Sequence, residues 1–439
     1  MERALAVVAA GTGEGKTSVA LGLARLLAES GYRVAPFKCG PDYLDARLYE
    51  AACDRGARNL DLWLDGPQQV RRNALRAAET GDVLLLEGMM GLFDGDDDGA
   101  TSTAQILRVL DVPALLVLDG WRASQSLAAI ALGCTRMTPR VRILGAVLNR
   151  AGGEGHVRAV RRACERVGVP VLAVLPHEPA WRIPERRLGL QTERLEAVRT
   201  IAAAIAATLR DQLDLDGLVG RPRRSETAAD GGDIPGEAGG SGPLIAMARD
   251  EALWFTYPET VEALRAAGAR IAFFSPLRDR ALPDGTRGLW LSGGYPESHA
   301  SALAANASLR AQVAEAVASG MPVYAECGGM MWLAEELETA EGCFPMVGAL
   351  RGRTSIARPR LHLGYRRVRA VCDSVLDRAG DGIRAYEFHY ASASLRERPA
   401  YEGEGDAGAW RERLVAGFLH RRFFEGDAAS CRFVAACAR

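Results

Sequence analysis

Residues 3–17 constrain this chain most. The apolar run Arg3-Ala-Leu-Ala-Val-Val-Ala-Ala10 leads directly into Gly11-Thr12-Gly13-Glu14-Gly15-Lys16-Thr17, and a helical pattern continues from Thr17 to Ser30. A buried strand, a glycine-rich turn and a helix in that order make a phosphate loop of the form G-x-x-x-x-G-K-[ST]. Ala10 replaces the first glycine, while Gly15, Lys16 and Thr17 keep their places. The remaining glycines let backbone N–H groups converge on phosphate, and the helix N-terminus adds positive potential. Gly13, Glu14, Gly15, Lys16, Thr17 and Ser18 are therefore the candidate ATP-binding residues. Lys16 is expected to reach the β- and γ-phosphates, and the Thr17 hydroxyl to bind Mg2+.

The rest of the chain repeats the strand–helix rhythm. Short Val/Leu-rich runs at 34–38, 82–88, 112–119, 141–149 and 169–175 alternate with helical segments. Such near-continuous apolar strands belong to a parallel sheet covered on both faces. Residues 218–242 interrupt this with Gly, Pro and charge and read as a linker. A flexible coil of that length would span roughly 28 Å on average. The alternation resumes at 243–250, 269–276, 288–294 and 321–329. The expected fold is α/β, with two doubly wound, mainly parallel sheets. A P-loop NTPase-like domain over 1–217 is followed by a second α/β domain over 243–439.

Composition narrows the function. A net charge of -1 gives no electrostatic case for nucleic acid or an anionic membrane. No apolar run reaches the roughly 18–20 residues a bilayer span needs. The N-terminus lacks a basic start and a cleavage site, so the cytoplasm is the expected location. Nine irregularly spaced cysteines with no C-x-x-C argue against a disulfide framework or structural zinc.

Acidic and basic residues sit where strands end, which is where ligands of open α/β sheets gather. Lys38, Asp42, Tyr43 and Asp45 follow one predicted strand; Glu87 ends another, with Asp94 seven residues on. Glu87 and Asp42 join Thr17 as candidate Mg2+ ligands, although Asp94 and its acidic neighbours also suit an exposed turn. In the second half, Ala325-Glu326-Cys327-Gly328-Gly329 follows the apolar run MPVY. Strand, sharp turn and helix form a nucleophile elbow, and the helix N-terminus favours a thiolate. A histidine must serve as base; spacing leaves His389 in YEFHY and His420 in FLH equally open. Gly293 and Gly294 supply candidate oxyanion donors.

Together these segments resemble the cobyrinic acid a,c-diamide synthases, including the hydrogenobyrinic acid version of the aerobic cobalamin route. The resemblance spans nearly the whole chain through FKCGPDYLDA, ARNLDLWL, EGMMGLFDG, VLNR, ARDEALWFTYPE, FFSPLRD, SGGYPE, YAECGG and YEFHY. It implies a dethiobiotin-synthetase-like first domain in which Asn149 reads adenine. It implies a class I glutaminase second domain in which Cys and His suffice, with His420 rather than His389 as Cys327's partner. It further implies ATP and Mg2+ as cofactors. L-glutamine and a corrinoid or related tetrapyrrole polycarboxylate are the implied small-molecule partners, with Tyr43, Asp45 and Asp94 toward the latter. Self-association as a homodimer stays open. The sequence departs from the pattern at Tyr49, Arg187 and Arg422, where the family usually has His. Two other readings compete: the same chemistry on nickel-sirohydrochlorin, and a non-catalytic P-loop switch or scaffold.

Overall fold

In the computed structural model, residues 3–43, 46–96, 99–183, 192–222 and 241–439 are described. Asp45 and Arg187 lie outside them, as does most of the expected linker, 223–240. The chain divides into two compact units, one built from 3–183 and 192–222 and the other from 241–439. Among the described residues no helix is long and apolar enough to cross a membrane.

The first unit is a seven-stranded sheet. Its strands are β1 (Ala4–Ala9), β2 (Val34–Cys39), β3 (Arg58–Leu60), β4 (Val83–Glu87), β5 (Ala114–Asp119), β6 (Ile143–Ala151) and β7 (Val171–Pro176). They lie in the order β3-β2-β4-β1-β5-β6-β7, and every pairing is parallel. Central strands are buried on both faces, which is why β1 and β4 read as unbroken apolar runs. The helix Lys16–Glu29 covers one face. Gly22 lets it approach the helix Thr192–Arg210, since a Cβ there would lie 2.2 Å from Ile205 Cγ2. The strand order reverses around β1, so the C-terminal ends of β1, β4 and β5 border one crevice.

The second unit starts the same way. Strands β8 (Leu244–Ala248), β9 (Leu253–Phe255), β10 (Arg270–Phe274), β11 (Thr286–Leu291), β12 (Gly293–Gly294) and β13 (Val323–Glu326) come first. A six-stranded sheet runs β10-β8-β11-β13 and then Leu414–Gly417 and Ala409–Arg411. It is parallel except for its last pair. The β9 and β12 strands pair separately. From Ala334 onward the chain departs from the simple alternation. Two further four-stranded sheets appear, one of them built on the antiparallel hairpin of His362–Ala370 and Gly382–His389. Their strands are short or alternate polar with apolar, so they lack the continuous apolar run that marks a doubly buried strand. The parallel core strand Leu414–Gly417 is only four residues long and had no signal of its own.

Candidate functional site

The phosphate loop begins where β1 ends. Gly13 and Gly15 both take left-handed backbone angles, with φ of 82° and 94°. At Gly15 a Cβ would meet Asn149 Nδ2 at 2.1 Å, so both conformation and space demand glycine. The Asn149 amide donates to the Glu14 carbonyl at 2.9 Å, and Arg150 donates to the Gly13 carbonyl at 2.9 Å while pairing with Asp119. The ends of β5 and β6 thus brace the loop from outside. Lys16 donates to the Gly11 carbonyl at 2.7 Å, curled over an otherwise anion-shaped cradle. Burial, and then the nearby charge of Lys38, holds its ammonium below the ordinary lysine range. Burial likewise pushes the Glu14 carboxyl up. Ser18, the next residue on the helix, is half-buried.

Glu87 is the hub of this unit. It is fully buried at the end of β4. Its Oε1 accepts from the Thr17 hydroxyl at 2.5 Å and from Lys38 Nζ at 2.6 Å, and its Oε2 from the Tyr49 hydroxyl at 2.7 Å. Parallel pairing puts Lys38 and Glu87 in register on adjacent strands. A hydroxyl and a carboxylate that share one point beside a phosphate loop are the hard oxygen donors a small divalent cation takes. Tyr49, where the resemblance led one to expect His, serves as a donor to that carboxylate. Asp42 is half-buried and Tyr43 buried, both just past β2; the Asp42 carbonyl is held by Asn59 at 3.0 Å. Asp94 is exposed and accepts from the Gly91 N–H at 2.7 Å, the turn-forming role its sequence context allowed. It also lies near enough to Lys16 to act on its charge.

In the second unit Cys327 sits between β13 and the short helix Gly328–Leu333 with φ 49° and ψ -107°. A non-glycine residue in that region stores strain and marks a sharp elbow. The Cys327 N–H donates to the Gly417 carbonyl at 2.7 Å. Small residues make the elbow fit: a Cβ on Gly328 would lie 2.8 Å from Gly294 N, and one on Gly329 would lie 2.3 Å from the Leu291 carbonyl oxygen. Gly293 lies against both partners, since its added Cβ would be 3.1 Å from His420 Cε1 and 3.6 Å from Cys327 Cβ. Gly294 adjoins the elbow through Gly328.

The strand Leu414–Gly417 pairs in parallel with β13, and so delivers His420 to the elbow three residues later. His420 is buried and hydrogen-bonded to Glu326, and Cys327 lies near enough to act on its charge. Its Nδ1 donates to Glu326 Oε1 at 2.8 Å. Burial alone would depress the imidazolium, but the Glu326 charge and hydrogen bond and the nearby Cys327 outweigh it and raise the His420 pKa well above the ordinary range. Glu326 was visible in the sequence only as a neighbour of the nucleophile; its contact with a residue 94 positions away had no sequence signal.

His389 is not at the elbow pair. Its Nδ1 donates to the Ala391 carbonyl at 2.7 Å, its Nε2 meets Glu387 Oε1 at 3.1 Å, and its ring stacks on Phe418 at 3.8 Å. His362, Glu387 and His389 bring ligand-type atoms within 4.8 Å of one another. The two histidine rings are stacked within 3° of parallel, so their lone pairs run side by side rather than converging. Arg366 holds the other Glu387 oxygen at 2.6 Å. Glu387 and His389 are buried and His362 half-buried, and the strand Gly382–His389 pairs with the one that carries His420. Arg422 lies over the Tyr257 ring at 4.3 Å and 3.6 Å from Glu259.

A phosphate loop with a carboxylate hub in one unit, and a strained cysteine with a histidine in the other, define a class: nucleotide-binding glutamine amidotransferases. Family models agree. Residues 5–190 match the CobQ/CobB/MinD/ParA nucleotide binding domain, and residues 244–428 the CobB/CobQ-like glutamine amidotransferase domain. The hydrogenobyrinate a,c-diamide synthase of Brucella abortus is 39% identical over 438 residues, covering 96% of this chain and 99% of that one. The enzyme of the same name from Streptomyces coelicolor is 39% identical, over 95% of this chain and 92% of its own. The cobyrinate a,c-diamide synthase of Salmonella typhimurium is 38% identical, over 90% and 87%. The chain belongs to the hydrogenobyrinate/cobyrinate a,c-diamide synthase family, and is an amide-forming ligase that uses glutamine.

Proposed function

We propose that this enzyme converts the a and c acetate carboxylates of hydrogenobyrinic or cobyrinic acid to amides in cobalamin biosynthesis, at the expense of ATP and glutamine. The near-full-length likeness to synthases of that name carries the reading. A domain from 1–217, a linker over 218–242 and a domain from 243–439 divide the labour, in the cytoplasm.

A carboxylate is a poor electrophile and must be activated. Gly13, Glu14, Gly15 and Ser18 line the nucleotide's phosphates, and Asn149 lies toward the base. Lys16 and Lys38 neutralise charge as the γ-phosphoryl passes to the substrate carboxylate, giving an acyl phosphate. Thr17, Glu87 and Asp42 would hold Mg2+, which would screen the phosphate charge. Tyr43 and Asp94, with Asp45 of the same sequence segment, are the residues assigned to the tetrapyrrole. Phosphate beside the Lys16 ammonium would offset the burial and the Lys38 charge that hold its pKa below the ordinary range.

Cys327 attacks the glutamine side-chain amide, His420 relays the proton, and Gly293 and Gly294 stabilise the oxyanion. Glutamate and ammonia leave, and ammonia displaces phosphate from the acyl phosphate. Two rounds complete the reaction. Incubation with ATP, Mg2+, glutamine and hydrogenobyrinic, cobyrinic or nickel-sirohydrochlorin acid tests this by product mass. Each carboxylate converted lowers the mass by about 1 Da. Two conversions on hydrogenobyrinic or cobyrinic acid are expected; turnover of nickel-sirohydrochlorin alone would reject the corrinoid assignment.

A further inference from the structure

We infer that Glu326 is a positioning residue for glutamine hydrolysis: it holds the His420 imidazolium oriented toward Cys327. The inference rests on reading Cys327 and His420 as the glutaminase pair. It adds a carboxylate where the resemblance implied that cysteine and histidine suffice.

Glu326 is the last residue of β13, immediately before the nucleophile, and is 6% exposed. Two residues so close in sequence ordinarily point to opposite sides of a strand. The left-handed elbow at Cys327 breaks that alternation and leaves both side chains in reach of one imidazole. The carboxylate is fully engaged. Oε1 accepts from His420 Nδ1 at 2.8 Å; Oε2 accepts from the Tyr324 hydroxyl at 2.9 Å and from the Arg421 N–H at 3.2 Å. Burial, and then the Glu326 charge itself, keeps the Tyr324 phenol protonated, so that donor is always available. A carboxylate only accepts, so Nδ1 must carry a proton and Nε2 is left for the sulfur.

The residues after His420 cannot supply this. Arg421 and Arg422 are guanidinium donors, engaged with Asp377 and with Tyr257 and Glu259. Glu326 and the Cys327 thiolate flank one imidazolium, so charge alternates across three neighbouring groups. In the reaction the Cys327 sulfur forms a bond to the amide carbon. The carbon–nitrogen bond then breaks, and the nitrogen takes the Nε2 proton and departs as ammonia. Water, losing a proton to Nε2, attacks the thioester and releases glutamate and the thiolate. Glu326 touches no reacting atom. It fixes the ring and keeps the Nε2 acid charged to higher pH, the part a buried aspartate plays in a serine–histidine–aspartate triad.

The test measures glutamate release by the full chain with ATP, Mg2+ and hydrogenobyrinic acid from pH 6 to 10, in wild type, Glu326→Gln, Glu326→Asp and Cys327→Ser. Glu326→Gln should lower kcat about 10- to 1,000-fold. It should leave KM for glutamine within about threefold of wild type, and move the alkaline limb of kcat/KM to lower pH. Glu326→Asp, which keeps the charge but shortens the reach, should fall between. A folded Glu326→Gln with wild-type kcat and alkaline limb, or with a change in KM alone, overturns the inference. If Glu326→Gln does not fold, Glu326→Asp decides, and wild-type kcat and limb in that variant overturn it. Cys327→Ser separates the two readings: continued hydrolysis in it defeats the glutaminase pair itself, whereas its loss beside an unaffected Glu326→Gln defeats only the role of Glu326.

Discussion

At the residue scale, the two sites depend on backbone angles that side chains rarely tolerate. Gly15 combines φ 94° with a wall of Asn149 at 2.1 Å from any Cβ. Gly15→Ala must therefore both strain the loop and displace Asn149, at a cost of about 1–3 kcal/mol. Its thermal midpoint should drop, and saturating ATP should give a smaller upward shift than in wild type; an equal shift would contradict the loop assignment. Cys327 is the opposite case, a non-glycine side chain held at φ 49°, the angle the proposed nucleophile's elbow imposes. The P-loop residues were legible because their spacing is local. Tyr49 and Glu326 were not, because each acts through a partner on another element.

At the element scale, register does the positioning. Parallel pairing sets Lys38 beside Glu87, and pairing of β13 with Leu414–Gly417 carries His420 to the elbow. The hairpin of His362–Ala370 and Gly382–His389 adds a pH dependence. Burial would raise the Glu387 carboxyl, but hydrogen bonds from His389 and Arg366 hold it down at about 2, against 4.5 ordinarily. A depressed carboxyl contributes stability that is full above its unfolded pKa and is lost as pH falls through the folded value. The wild-type advantage over Glu387→Gln in urea unfolding should therefore shrink between about pH 4.5 and pH 2. A constant difference across that range would show the carboxylate to be uninvolved. Arg421 and Asp377 form a second buried pair, bidentate at 2.8 and 2.9 Å. Arg421→Ala leaves Asp377 buried alone and should cost about 3–5 kcal/mol, read as a lower urea midpoint.

At the scale of the whole molecule, each unit holds one half of the proposed reaction, and the halves should separate by mutation. Cys327→Ser should abolish amide synthesis from glutamine while high ammonium still supports it. Lys16→Ala should lose both. Retention of ammonia-dependent synthesis by Lys16→Ala would remove the ATP-site assignment. Free ammonia at neutral pH is mostly ammonium, which has no lone pair to attack with, so transfer away from bulk water is expected. With amide-labelled 15N-glutamine and excess unlabelled ammonium, the product should carry mainly 15N. Dilution to the bulk ratio would show release into solvent.

By itself the sequence determined the phosphate loop, the alternating parallel core of each unit and the candidate nucleophile. These rest on contiguous patterns: a glycine spacing, runs of buried strand residues, and a cysteine among small residues after a strand. Tertiary structure decided what surrounds them. It set the carboxylate hub of Thr17, Lys38, Tyr49 and Glu87, the strands after Ala334, and the union of Glu326, Cys327 and His420. Those contacts join residues 38 to 94 positions apart. Periodicity reports which face a residue turns to the core, but partners on different strands meet only when the sheet sets its order and register.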